Sequence, residues 1–261
     1  MRPANFRLRD NEELFAQGLP ILLYHRIGKC PRFAKGSCLF VSRSMLSQQL
    51  HELVQAGFTS ADLSEFATND GNLDRRIAIT IDDGFTCAHE FMLPLLQQLR
   101  LQSTLFLVAD LLGKQNEWDH PAGYIPASLM SVFQVREWLA SGQQIGSHTL
   151  THPHLTSLPP QKLREEIVAS KKKLEDTFGV AVRHFCYPYG EWNEQIADVV
   201  ESAGYLTACC TQFGVNTCLT YAYALRRIIV PPDGMARTVA NRLRFGLSRL
   251  RENSRLPLNV P

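Results

Sequence analysis

Two short stretches of this chain hold residues whose types and spacing could do chemistry. In the first, the β-branched run Arg76-Ile77-Ala78-Ile79-Thr80-Ile81 ends in Asp82-Asp83-Gly84-Phe85. Neighbouring strand residues point to opposite faces, but at a strand end that turns on Gly84 both carboxylates can converge on one site. Two acids at the mouth of a buried strand are costly to desolvate without a cation, and a metal ion is the natural partner. Taken alone, the pair reads equally well as a solvated turn in which one Asp caps the helix that begins near Thr86. The second stretch is Ser147-His148-Thr149-Leu150-Thr151-His152-Pro153-His154. Its Thr and Pro residues disfavour a helix, so His148 and His152 are placed where a strand turns into a loop. Two imidazoles and Asp83 form a two-nitrogen, one-oxygen donor set, which suits a catalytic zinc-type site with positions open for water and substrate. His154 breaks the spacing and is read as a rim residue.

The elements that would hold these residues alternate. Leu19–Arg26 reads as a buried strand whose end carries His25, by itself an ordinary surface or capping histidine. Residues 28–41 read as a loop in which Cys30 and Cys38 lack a second pair at zinc-ribbon spacing. A helix begins at Ser42 or Ser44 and closes at Gly57, and residues 60–74 read as a polar connection. The strand over 76–82 leads to a helix over 86–100 that Pro94 should bend or interrupt, then to a strand over 103–108. Residues 109–133 form a long rim segment whose Trp118, His120 and Tyr124 could stack on sugar rings or build a local satellite core. Further helices are predicted over 134–141, 160–178 and 193–203. Residues 184–190 read as a strand running into a tight turn, and further strands are predicted near 205–211 and 224–230. This alternation predicts an α/β fold, a parallel sheet or closed barrel with helices outside. Lys171, Lys172 and Lys173 read as a solvated helix face.

Composition narrows the function classes. The chain has 261 residues, 45% of them hydrophobic and 20% charged, within the range of one large α/β domain. A net charge of +2 gives no global reason to expect a nucleic-acid partner. No stretch approaches the roughly 20 apolar residues of a membrane span. The basic N-terminus lacks an apolar segment behind it, and the seven cysteines form no regular framework, so reduced thiols and a cytoplasmic location are expected. The organisation read here is an N-terminal arm (1–18), a catalytic domain (19–235) and a basic amphipathic C-terminal helix and tail (236–261). In the tail, residues 236–251 either pack on the domain or lie on an anionic membrane surface.

Taken together, Thr80-Ile81-Asp82-Asp83-Gly84, His148-Thr149-Leu150-Thr151-His152 and Phe185-Cys186-Tyr187-Pro188-Tyr189-Gly190 resemble the polysaccharide deacetylases of the NodB-homology type (carbohydrate esterase family 4). The resemblance covers residues 19–232. It implies a distorted β/α barrel of about seven parallel strands with outer helices. It also implies Asp82 as general base, Asp83, His148 and His152 as metal ligands, and the Tyr189 backbone N–H as an oxyanion donor. Two departures stand out. Many members supply the catalytic acid from a Leu-x-His motif, but Leu225-Arg226-Arg227 holds no histidine. The arginine that many members carry in the third motif is replaced by Cys186-Tyr187. The strand ending Leu23-Tyr24-His25-Arg26 resembles the opening of the poly-N-acetylglucosamine deacetylases, which implies His25 as the acid.

The expected function is a metal-dependent hydrolase, with zinc as first choice. It would remove an N-acetyl group from an N-acetylhexosamine in a polysaccharide or lipid-linked saccharide. Alternatives are a deformylase or other amidase on a lipid-linked aminosugar, or an inactive carbohydrate-binding homologue. The partner would be a glycan or lipid-linked saccharide, with peripheral contact to the inner face of a membrane through 236–251.

Overall fold

The computed structural model describes residue 15 and residues 17–31, 39–68, 75–119 and 123–230. In chain order the elements are β1 (Ile21–Tyr24), β2 (Arg26–Ile27), β3 (Phe40–Val41), α1 (Arg43–Gln55), β4 (Thr59–Ser60), α2 (Ser64–Thr68) and β5 (Arg76–Ile81). Next come α3 (Leu93–Leu99), β6 (Thr104–Leu107), α4 (Val132–Ala140), β7 (Gln144–Ser147) and α5 (Pro160–Phe178). The last are β8 (His184–Cys186), α6 (Glu194–Ser202), β9 (Thr207–Phe213) and β10 (Leu225–Ile229).

Seven strands pair in parallel in the order β1-β5-β6-β7-β8-β9-β10, and β10 returns to β1, so the sheet closes into a barrel. The closure is registered on β1, where Leu22 faces Ile228 on one side and Ile79 on the other. Residues on each strand alternate between the barrel interior and the helical shell. Ile21, Ala78, Phe106, Cys186, Cys209 and Leu225 form the inner core, which is floored by Leu19, Leu63 and Phe66. Leu22, Ile77, Ile79, Ile81, Leu105, Ile145, Phe185 and Ile228 face outward to the helices. Carrying the same alternation to the strand ends assigns His25, Thr80, Asp82, His148, Cys186 and Arg227 to the interior.

The helix starts follow local hydrogen-bond chemistry. The Ser42 hydroxyl accepts from the Met45 N–H at 3.1 Å and caps α1. Ser131 and Gln134 form a reciprocal capping box, so α4 begins at Val132, ahead of its predicted start. The interruption expected at Pro94 takes the form of a π-helical turn, Ala88–Met92, directly before α3. The connection expected over 60–74 is corrected within its described part: Ser60 pairs in β4, and Ser64–Thr68 is helical. Asp62 organises that turn by accepting from the Ser64 N–H at 2.7 Å.

Within residues 1–18, Phe15 is buried and packs edge-on against Phe58 at 5.6 Å. Among the described residues the cysteines are free thiols, and no helix is long and apolar enough to cross a membrane. Lys172 and Lys173 pair with Asp176 and Asp110 on the solvated face expected of them, whereas Lys171 is turned inward, pairing with Glu175 over the Tyr205 ring. Cys38, His120 and the tail 236–261 lie outside the described residues.

Candidate active site and metal centre

The residues singled out for chemistry meet at the C-terminal mouth of the barrel. Asp82 leaves β5 facing inward and is 2% exposed. Asp83 follows at φ 72° and Gly84 at φ 77°, a left-handed pair that brings the second carboxylate round to the same side. Gly84 cannot be replaced at no cost, because a Cβ there would lie 2.7 Å from Leu107 Cδ2.

His148 sits at the end of β7. Its Nδ1 donates to the Cys186 carbonyl at 2.7 Å, which fixes the ring and leaves Nε2 facing Asp83 Oδ1 at 3.5 Å. His152 Nε2 faces the same oxygen at 3.5 Å. Two left-handed residues, Thr149 (φ 70°) and His152 (φ 65°), fold the intervening loop back. Glu166 of α5 clamps that loop by accepting from the N–H groups of Leu150 at 2.8 Å and Thr151 at 3.0 Å. The His152 ring lies 4.5 Å from Trp118, nearly parallel, and 4.7 Å from the Tyr189 ring. Trp118 also packs on the cluster of Phe85, Val108, Leu111 and Leu129, so the rim segment does build the satellite core. His154 is a rim residue that stacks on Tyr189 at 3.9 Å and pairs with Glu191 at 3.1 Å.

Asp83, His148 and His152 fit a metal ion. Their ligating atoms lie within 4.8 Å of one another, and all three residues are buried. Burial, assisted by the charge of His148, lowers the His152 pKa to about 3, so its imidazole is neutral and able to ligate. Burial opposes charge on His148, yet Cys186 and Asp83 beside it raise its pKa well above the ordinary value. Asp82, His148 and Cys186 form a second triangle of the same size. Burial pushes the Cys186 thiol up to about 12, and the Arg227 guanidinium already lies on both Asp82 and the sulfur. A cation placed there would face a fixed positive charge.

Burial works against ionised Asp82, but the charge and hydrogen bonds of Arg227 outweigh it and hold the carboxyl well below the usual range. Arg227 donates from Nη1 to Oδ1 at 2.7 Å and from Nη2 to Oδ2 at 2.8 Å. Sequence reading noticed this position only as one that lacks a histidine. A signal was available: alternation from Leu225 turns Arg227 inward, and a buried guanidinium requires a carboxylate. His25, at the end of β1, brings Nε2 to 3.9 Å from Asp82 Oδ2. Burial lowers the His25 pKa, against the pull of Asp82 and Asp83. Tyr189 occupies a left-handed position (φ 60°) in the turn after β8 and is half exposed over His152.

Comparison with known proteins agrees with this arrangement. The profile of the polysaccharide deacetylase family matches residues 69–208. YxkH of Bacillus subtilis (strain 168), which carries a polysaccharide deacetylase name, is 28% identical over 218 residues, 82% of this chain and 72% of the relative. A chitooligosaccharide deacetylase of Bradyrhizobium sp. (strain ANU 289) is 26% identical over 133 residues, 50% of this chain and 53% of its own length. The fold superposes on the Streptococcus pyogenes deacetylase PplD with a TM-score of 0.73 at 20% identity, covering 85% of this chain and 96% of that one. It also superposes on IcaB from Ammonifex degensii with a TM-score of 0.70 at 24% identity, again covering 85% and 96%. With the family profile spanning more than half of its length and its acid and imidazole groups converging at the barrel mouth, the chain belongs to the polysaccharide deacetylase family.

Proposed function

We propose that this protein is a metal-dependent hydrolase that removes an N-acetyl group from an N-acetylhexosamine in a polysaccharide or lipid-linked saccharide. Members of its family are hydrolases of carbon–nitrogen bonds other than peptide bonds. The observation that carries the reading is the Asp83, His148 and His152 triangle beside a separate carboxylate, Asp82, that is buried and ionised. A divalent metal ion held by that triangle, zinc by its nitrogen-rich donors, would polarise the amide carbonyl and lower the pKa of the attacking water.

The chain's own groups do the rest. Asp82 takes the proton of the water as it attacks the carbonyl carbon. The backbone N–H of Tyr189 holds the oxyanion of the tetrahedral intermediate. His25, whose Nε2 lies 3.9 Å from Asp82 Oδ2, gives a proton to the departing amine. Trp118 stacks on one face of His152 and Tyr189 packs against the ring at a steep angle, and together they keep that ligand from swinging out.

The test is acetate release from a panel of N-acetylhexosamine oligomers and lipid-linked saccharides, run with Asp82→Asn and with a chelator. Release abolished by both supports the reading and names the substrate class. An unaffected rate in either arm sinks it.

A further inference from the structure

We propose that Arg227 is the positioning residue of this site. It orients the Asp82 carboxylate from β10 and, by occupying that place, shifts the proton donor to β1. The inference rests on the hydrolase reading and deepens it.

Arg227 is fully buried, and a guanidinium has five N–H donors in a planar fork. All five find acceptors inside the protein. Nε donates to the Cys210 carbonyl at 2.9 Å. Nη1 donates to Asp82 Oδ1 at 2.7 Å and to Thr80 Oγ1 at 3.3 Å. Nη2 donates to Asp82 Oδ2 at 2.8 Å and to Cys186 Sγ at 3.1 Å. No donor remains for a substrate, so Arg227 acts through Asp82 and is not itself a catalytic residue. The fork grips both carboxylate oxygens and sets the plane of the base, which a single point charge would not do.

The surrounding strands are shaped for this grip. Leu225 pairs with Cys209, but Arg227 pairs with Phe213, so β9 bulges between them and presents the Cys210 carbonyl to Nε. On β8 the inward position is Cys186, whose small thiol leaves room for a guanidinium arriving from β10, on the far side of β9. With 227 committed to the base, β10 offers no acid at this height, and the imidazole that approaches Asp82 from outside the metal triangle is His25, directly after β1.

The experiment measures kcat and KM for acetate release in wild type, Arg227→Lys, Arg227→Met and the transfer variant Cys186→Arg/Arg227→Met. Thermal unfolding of Arg227→Met, Asp82→Asn and their double variant runs alongside. Loosening the base should lower kcat by about 100-fold in Arg227→Lys with KM nearly unchanged. The transfer variant should recover about tenfold over Arg227→Met, because an arginine on β8 can reach the same carboxylate. Unfolding should show that the double variant is no less stable than Arg227→Met alone. A wild-type kcat in Arg227→Lys, a loss carried by KM, or additive destabilisation in the unfolding cycle each overturns the proposal. An inactive wild type instead defeats the hydrolase reading, while the unfolding cycle still decides whether Arg227 is tied to Asp82.

Discussion

A single imidazole decides how the leaving amine gets its proton. His25 lies 3.9 Å from the base and is no part of the metal triangle, so its removal should separate chemistry from metal binding. In His25→Gln, acetate release is expected to fall by about 100- to 10,000-fold, the range of general acid catalysis, while the protein binds its metal as tightly as before. Rate measurements paired with a metal titration check this, and an unchanged rate would remove His25 from the mechanism. His25 also shows what one residue can hide in sequence. A histidine after a short apolar strand is usually unremarkable, and only resemblance to relatives gave it a role. The distance to Asp82 is a tertiary fact.

At the scale of elements, the turn after β8 does the most with the fewest residues. Tyr189 and Gly190 both have positive φ, at 60° and 73°. A Cβ on Gly190 would lie 2.0 Å from Thr211 Oγ1 and 2.6 Å from the Thr211 backbone nitrogen. The turn therefore lies directly on β9, and only glycine fits. Gly190→Ala should push the turn off the strand and displace Tyr189, costing about 1–3 kcal/mol of stability and most of the activity. Melting curves and rates measured on one preparation test it, and an undisturbed variant would show that the turn tolerates displacement. Local chemistry foretold many element boundaries: the Ser42 cap, the Pro94 interruption and the Pro160–Phe178 helix are legible in the residues that form them. The β4 and α2 segment was not, because two paired residues and a five-residue helix are too short for periodicity to register.

Across the whole molecule the two ends of the barrel do different work. The C-terminal mouth holds the site. At the opposite end Asp62 accepts from Ser64, Gln144 and the buried His184, whose Nδ1 is 2.9 Å from Thr207 Oγ1. This network ties α2 to β7, β8 and β9 and closes the floor. Burial would raise the Asp62 pKa, but the hydrogen bonds from His184, Gln144 and Ser64 outweigh it and hold the carboxyl far below its unfolded value. A depressed folded-state pKa contributes stability above the unfolded pKa of about 3.9, and that stability is lost as pH falls below it. Asp62→Asn should therefore cost about 1–3 kcal/mol near neutral pH. The melting-temperature gap to wild type should narrow below about pH 4. A gap constant with pH would show that the carboxylate charge contributes nothing to the floor.

What the sequence determined by itself is local. The β-branched run ending in Asp82-Asp83-Gly84 specified a buried strand with acids at its end. The spacing of His148 and His152 among Thr and Pro specified a loop rather than a helix, and the alternation of strands and helices specified the parallel α/β class. Each follows from periodicity, turn chemistry or desolvation acting over a few residues. Only the tertiary structure decided which side chains share the interior, because closing β10 onto β1 converts seven separate inward faces into one enclosed space. Arg227 and Asp82 stand 145 residues apart in the chain and two strands apart around the barrel. No local pattern links them. Their pairing exists because a buried guanidinium and a buried carboxylate, placed in the same closed interior, are far less costly together than apart.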